Sequence, residues 1–382
     1  MQRNFFSAPI TLAIALGSGM LLTQYFLVTA QAVSTVQPAV VGDAKPLSEK
    51  TLGWATDRID AKKTISSLTD RSVVKDSANQ LHVAYGGDHL YYARYNGVQW
   101  NTEIADPAWG VGDFASIALD SNNNLHISYY DKGNRDLKYA VYSGNRWHIE
   151  TVDSEGDVGG FDTSIALGQD GSPSIVYYDN TNRRIKYAQY KNNAWQIEVV
   201  GSGFTHVSLA IDKNNVPQLV YRQTIYQANI KLVYAHQAGN TWITETVASG
   251  SSMGQYASLF LDSNNRPHIA YLDGSAEDLM YARWTGSTWV TQTVDANAGW
   301  AAILPSLVLD SSDNPYIAYT NTNDRNLKYA RWTGSLWNLE TVESNDISIY
   351  KSLILDGLNN PNIIYIGNIS GDLKYASWAG SS

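Results

Sequence analysis

Downstream of residue 50 the chain alternates apolar and polar residues in short runs, and clusters of Gly, Asn, Asp and Ser part the runs. One copy reads Ser116-Ile-Ala-Leu-Asp120, then Leu125-His-Ile-Ser-Tyr-Tyr-Asp131, then Asp136-Leu-Lys-Tyr-Ala140, then Gly144-Asn-Arg-Trp147-His-Ile-Glu150-Thr-Val-Asp153. Period-two alternation in runs this short predicts strands, and the residues between them are turn formers. The copy is four strands, a to d, joined by tight turns.

The copy recurs at a fixed spacing. A Ser opens strand a at Ser72, Ser116, Ser164, Ser208, Ser258, Ser306 and Ser352, and thirteen residues on stand Tyr85, Tyr129, Tyr177, Tyr221, Tyr271, Tyr319 and Tyr365. A Tyr-Ala pair begins at Tyr92, Tyr139, Tyr187, Tyr234, Tyr281, Tyr329 and Tyr375, and eight residues later comes a Trp in six copies, Trp100 to Trp337. The seventh Trp would fall one residue past the last, whereas Trp54-Ala-Thr-Asp57-Arg-Ile59-Asp60 matches Trp337-Asn-Leu-Glu340-Thr-Val342-Glu343. An open solenoid has no reason to split a repeat between its ends; a ring closed by strand exchange does. The expectation is an all-β, seven-bladed β-propeller of four-stranded antiparallel blades over residues 51–382, with residues 54–60 completing the last blade.

Composition narrows the function classes. The 382 residues include 12 Trp, 25 Tyr and 29 Gly, with 16% charged residues, a net charge of −9 and no Cys. The lack of Cys excludes a disulfide framework, a thiolate metal site and a Cys nucleophile. An acidic chain without a basic run is a poor partner for nucleic acid or anionic lipid. Residues 1–32 read as a signal peptide: Arg3, an apolar stretch from about Ile10 to Val28, then the small-x-small site Ala30-Gln31-Ala32. This predicts a secreted, periplasmic or extracellular protein; the rival reading, an uncleaved signal anchor, is the one membrane contact the sequence suggests. Residues 33–50 have no strand pattern and read as a linker.

Most repeated residues have a structural reading. The Trp opening strand d should cover the core at the rim. The fourth position of strand d is acidic or amide throughout (Asp57, Glu103, Glu150, Glu198, Glu245, Gln292, Glu340), as an exposed edge requires to block edge pairing. His82, His126 and His268 share a strand-b position held elsewhere by Ser174, Gln218, Tyr316 and Asn362, so a satisfied buried polar group is expected there rather than a metal ligand. The Asp-Ser-Asn-Asn turns at Asp120 and Asp262 lack the Gly and distal Glu of a calcium loop. No metal and no cofactor is expected.

The repeat, with its Leu-Asp, His-Ile-x-Tyr, Leu-Lys-Tyr-Ala and Trp-x-x-Glu-Thr-Val segments, resembles secreted bacterial propellers of the broad sialidase-like (BNR) superfamily, and its architecture is similar to that of seven-bladed lectins that bind fucose and related sugars. The Gly-x-x-Trp hairpins at Gly286 and Gly334 sit where such propellers carry an Asp-box, but the Ser-x-Asp part of that motif is absent. The resemblance implies the fold, and a function among lectins, glycosidases, lyases and scaffolds.

A site should lie where the blades differ. The a–b and c–d connections keep their length, while the b–c and d–a connections vary and share one face, which makes that face the place for function. It carries Trp109, Asp113, Asp131, Phe161, Asp179, Arg222, Tyr256 and Trp300, a mixture that can stack on a sugar ring and hold its hydroxyls. These are the candidate ligand-binding residues. The leading reading is a secreted, lectin-like, carbohydrate-binding propeller whose partner is a glycan or polysaccharide. Blade four differs from the others, with the shortest d–a and the longest b–c connection. An alternative reading, an extracellular polysaccharide lyase or glycosidase, centres there on His206, Arg222 and Tyr226, a base beside a cation able to neutralise a uronate carboxylate. A protein-interaction scaffold using the same face is a third.

Overall fold

The computed structural model describes residues 53–60, 65, 67–226, 229–296, 298–299, 304–345, 349–367 and 369–378, and the strand-tip side chains of residues 225–229 are outside the description. The signal and linker segments and Trp300 therefore lie outside the described residues. Within them the chain forms seven four-stranded antiparallel sheets and no helix. Blade one comprises Val73–Lys75, Leu81–Gly86, Leu90–Tyr95 and Trp100–Asp106. In blade seven the strands Lys351–Leu355, Pro361–Ile366 and Leu373–Trp378 are joined by Trp54–Asp60 as the outer strand, with Trp54 opposite Trp378 and Asp57 opposite Tyr375.

Three repeated contacts bind blade to blade. At the rim each strand-d Trp meets the Tyr of the preceding blade's Tyr-Ala pair edge-on, with ring centroids 5.2–5.5 Å apart in all seven junctions. Such pairs contribute about 0.5–1.5 kcal/mol beyond the area they bury. The acidic residues of strand d do more than guard an edge: Glu103, Glu150, Glu198 and Glu245 accept the indole N–H of Trp147, Trp195, Trp242 and Trp289 of the next blade. Deeper in, the strand-b Tyr hydroxyl donates to an Asp at the end of the preceding outer strand: Tyr85 to Asp60, Tyr129 to Asp106, Tyr177 to Asp153 and Tyr319 to Asp295, at 2.6–2.7 Å.

Within each blade the shared strand-b position meets the Tyr of the Tyr-Ala pair. His82, His126 and His268 pair through Nδ1 with Tyr92, Tyr139 and Tyr281, while Ser174, Gln218 and Asn362 accept from Tyr187, Tyr234 and Tyr375. Each of these buried polar residues is met by its tyrosine, while Nε2 of His82, His126 and His268 lies 3.3, 3.8 and 3.7 Å from the turn carboxylates of Asp76, Asp120 and Asp262. In the turns, Asp76, Asp120, Asp262, Asp310 and Asp356 each accept backbone N–H groups from two and four residues on.

The strand-a serines, which pattern alone marks only as the start of a strand, form an inner ring. Ser116, Ser164, Ser208, Ser258 and Ser306 each accept, through Oγ, a backbone N–H from the next blade, and Ser352 accepts that of Ser72. Residues 69–71 occupy the channel inside this ring. Ser208 and Ser258 donate to the Asp70 carboxylate at 2.9 and 2.7 Å, and Ser306 and Ser352 donate to its backbone carbonyl. The Arg71 guanidinium donates to the Leu259 carbonyl. With Thr69 Oγ1 donating to the Ala115 carbonyl and the Ile117 N–H to the Arg71 carbonyl, one short segment ties itself to five blades.

Candidate functional site

In blades two to five strand a enters from its d–a connection through a β-bulge. Register breaks lie between Asp113 and Ser116, between Val158 and Thr163, between Phe204 and Ser208, and between Gln255 and Ser258. The bulge holds a bulky residue at positive φ: Phe114 (57°), Phe161 (84°), His206 (74°) and Tyr256 (54°). L-residues with large side chains avoid this region, at roughly 1–3 kcal/mol each, so each such residue is held by its surroundings. Gly254 makes the Tyr256 bulge feasible. At φ +69° it crosses strand c of blade four so closely that a Cβ would sit 2.7 Å from the Leu232 side chain.

The bulges converge on the channel mouth. His206 and Tyr256, from blades four and five, pack ring against ring with centroids 4.0 Å apart and planes tilted by 49°. Arg222, within strand b of blade four, acts on both electrostatically. Burial, reinforced by the Arg222 charge, pushes the His206 imidazole down to about 3, so it is neutral across the ordinary pH range. Burial lowers Arg222, with Tyr256 opposing, and raises the Tyr256 phenol against the pull of Arg222. His206 Nδ1 and Arg222 Nε are buried and have no hydrogen-bond partner among the described residues. Unmet polar atoms of this kind are uncommon in folded proteins and mark strain or function.

Tyr350, Asp113 and Asp162, from three other blades, add to the mouth. Burial raises the Tyr350 phenol, as do the fields of Tyr256, Asp113 and Asp162. Asp162 is 7% exposed and accepts the Val207 backbone N–H. Burial first, then the nearby Asp70, lifts its carboxyl well above the usual range. The site therefore combines a neutral imidazole, a guanidinium, two protonated phenols and a carboxyl group held toward its acid form.

Of the sequence candidates, Asp113, Arg222 and Tyr256 are thus gathered with His206. Tyr226 is not. The extra residues of blade four lengthen its strands, Pro217–Tyr226 and Asn229–Ala238, into a hairpin arm closed at Tyr226 and Asn229. Tyr226 lies four residues beyond Arg222, about 13 Å along an extended strand. Asp131 and Asp179 are buried in their own b–c turns, where their carboxylates accept the backbone and side-chain N–H groups of Asn134 and Asn182. Asp179 also pairs with Lys186, which bridges to Asp153. Trp109 is 76% exposed on the same face and meets His89 edge-on at 5.4 Å. Phe161 and Phe204 are exposed on either side of Tyr178. The sequence signal for the missed residues, Asp162 and Tyr350, is their place two residues before a strand-a Ser, which they share with His206 and Tyr256.

The fold defines the chain as a seven-bladed β-propeller. No protein-family model matches the sequence, and no curated protein does. Solved structures of the same fold include a family PL25 polysaccharide lyase, an ulvan lyase bound to -[GlcA(1-4)Rha3S]-, with a TM-score of 0.59 at 13% identity over 85% of this chain and 96% of that one. The polysaccharide lyase Uly1 is similar with a TM-score of 0.52 at 10% identity, over 84% and 92%. The Aleuria aurantia lectin in complex with Fucalpha1-6GlcNAc is similar with a TM-score of 0.50 at 15% identity, over 73% and 96%. At these identities the likeness is one of fold, and the propeller neighbours include both lectins and polysaccharide lyases.

Proposed function

We propose that the protein is an exported polysaccharide lyase that cleaves a uronate-containing glycan by β-elimination at the channel mouth. The observation that carries this reading is the close His206–Tyr256 ring pair beside Arg222, with two buried nitrogens left unpartnered among the described residues. Elimination needs three things of a protein: a cation to neutralise the uronate carboxylate, a base for the proton on C5, and an acid for the departing oxygen on C4. Arg222 supplies the first. A neutral imidazole can take the C5 proton, and a uronate carboxylate bound at Arg222 offsets the charge that, after burial, holds His206 down, which raises its basicity in the complex. Tyr256, its phenol held above the usual value, stays protonated and can give its proton to the leaving oxygen. The C5–H electrons become the C4–C5 double bond, the C4–O bond breaks, and the products are an unsaturated uronate end and a new reducing end. No oxidant or added nucleophile is needed. The lyase neighbours in the fold are consistent with this chemistry.

A non-catalytic, lectin-like propeller is the second reading, favoured by the exposed aromatics Trp109, Phe161 and Phe204. Incubation with a panel of uronate polysaccharides decides between the two. Rising ultraviolet absorbance from the unsaturated uronate, with chain shortening, supports elimination; binding without either supports the lectin. In both readings residues 1–32 direct export, and N-terminal sequencing of the exported protein should begin at Val33.

A further inference from the structure

Two phenylalanines beside the mouth cover a buried ring and still keep much of their own surface exposed. Phe161 is 50% and Phe204 42% exposed, on adjacent blades. Between them Tyr178 is fully buried and meets each ring edge-on, at 6.4 and 5.7 Å. Phe204 stands opposite Arg222 in the strand register, so this aromatic cluster adjoins the site described above.

The equivalent position one blade earlier is built differently. There Tyr130 donates its hydroxyl to Asp157 of the following d–a connection, at 2.8 Å. Blade four supplies no carboxylate at that place; its connection reads Gly203-Phe204-Thr205. The Tyr178 hydroxyl is buried and has no partner among the described residues. An inter-blade hydrogen bond has thus been replaced by apolar surface that faces solvent. Phe161 is also held at φ 84°, a strained setting for a bulky residue. Strain of this kind gathers at ligand clamps. The charges at the rim of the cluster, those acting on Tyr178, are of mixed sign, Arg183 against Asp179 and Asp157. The surface therefore calls for an apolar face rather than an anion.

We propose that Phe161 and Phe204, supported by Tyr178, form a stacking subsite for the sugar residue that flanks the uronate held at Arg222. The C–H face of a pyranose lies on the exposed rings, and this grip orients the chain so that its uronate reaches His206. The subsite rests on the proposed elimination for its place in the reaction, but not for its binding. It implies that the protein engages at least two consecutive sugars and that affinity has a salt-insensitive part, because stacking is not screened as the Arg222–carboxylate attraction is.

The test uses oligosaccharides of increasing length, prepared from whichever polysaccharide of the panel the protein binds, with calorimetry and the absorbance assay run side by side. Phe161→Ala and Phe204→Ala should each weaken binding of the longer oligosaccharides about tenfold, the range seen for aromatic stacking, equally at low and high salt. They should leave a single uronate bound as before. Phe204→Tyr should restore most of the loss, and the melting temperature of each variant checks that the fold is intact. If elimination is observed and both alanine variants keep the wild-type length dependence, the subsite is wrong while the lyase reading stands. If no elimination is observed but binding falls as stated, the lyase reading is wrong while the subsite stands. A loss confined to low salt would also overturn the proposal, since it would mark an electrostatic effect.

Discussion

At the scale of single residues, the protonation state of His206 has a consequence that separates it from an ordinary surface histidine. Burial, then the Arg222 charge, pushes its imidazole down to about 3, so the rate of elimination per free enzyme should show no inflection near 6.5, the usual histidine value. Replacing His206 by Asn should lower that rate by about 10²–10⁴-fold, the span for removing a general base, with a smaller change in substrate binding; an unchanged rate would remove His206 from the chemistry. Glu150 carries a different expectation. Its carboxylate accepts the Trp195 indole N–H at 3.1 Å, and a glutamine oxygen can do the same. Glu150→Gln should therefore shift stability by less than about 0.5 kcal/mol, read from denaturant unfolding. The residue scale is also where the sequence was least legible. Tyr226 and Tyr256 look equally suitable in a string of letters. Only the bulge before Ser258 turns Tyr256 onto His206, and only the extension of strands in blade four carries Tyr226 away.

At the scale of elements, periodicity carried nearly all the information. Strand order, blade count and the place of the variable face follow from a repeat whose apolar positions must alternate to be buried. What periodicity could not show is what one copy does to another. The inner serines, the Tyr–Asp links and the Trp–Glu links are contacts between repeats, and each partner looks self-sufficient within its own copy. Two predictions belong here. Ser258 Oγ both donates to Asp70 and accepts the Leu307 N–H; Ser258→Ala leaves both groups buried without it and should cost about 1–3 kcal/mol, measured by chemical denaturation. Deleting residues 53–62 removes the outer strand paired with Leu373–Trp378, exposing a strand edge and the ring of Tyr329 that Trp54 covers. That variant should aggregate or melt at a much lower temperature, and a monomer with an unchanged melting temperature would refute the role given to this strand.

At the scale of the whole molecule, buried titratable groups set the pH range of stability. His82, His126, His206 and His268 are all depressed, chiefly by burial. A depressed histidine contributes its full share above the unfolded value of about 6.5, and the share is lost as pH falls below it. The buried tyrosines act in the other direction. Tyr187, Tyr271 and Tyr375 are raised to about 12, chiefly by burial. Their share is full below the unfolded value of about 10 and is lost as pH rises above it. On these two sets, the thermal unfolding temperature followed across pH should fall below about pH 6.5 and above about pH 10, with the buried, lowered Lys351 adding stability as pH rises between them and the raised Asp162 opposing it; a maximum below pH 6 would contradict the assignment. The plug at residues 69–71 and the outer strand at Trp54–Asp60 also impose a timetable. Both precede in synthesis nearly everything they bind, since Asp70 is held by serines as late as Ser352 and Trp54 pairs with Trp378. At about 5–20 residues per second, the chain spends roughly a quarter of a minute to a minute between making its first strand and that strand's partner. Throughout that interval the newborn ring stands open, with an unpaired edge and a plug whose serine partners are not yet made, and whatever accompanies the chain from ribosome to destination must keep those surfaces from meeting another copy first.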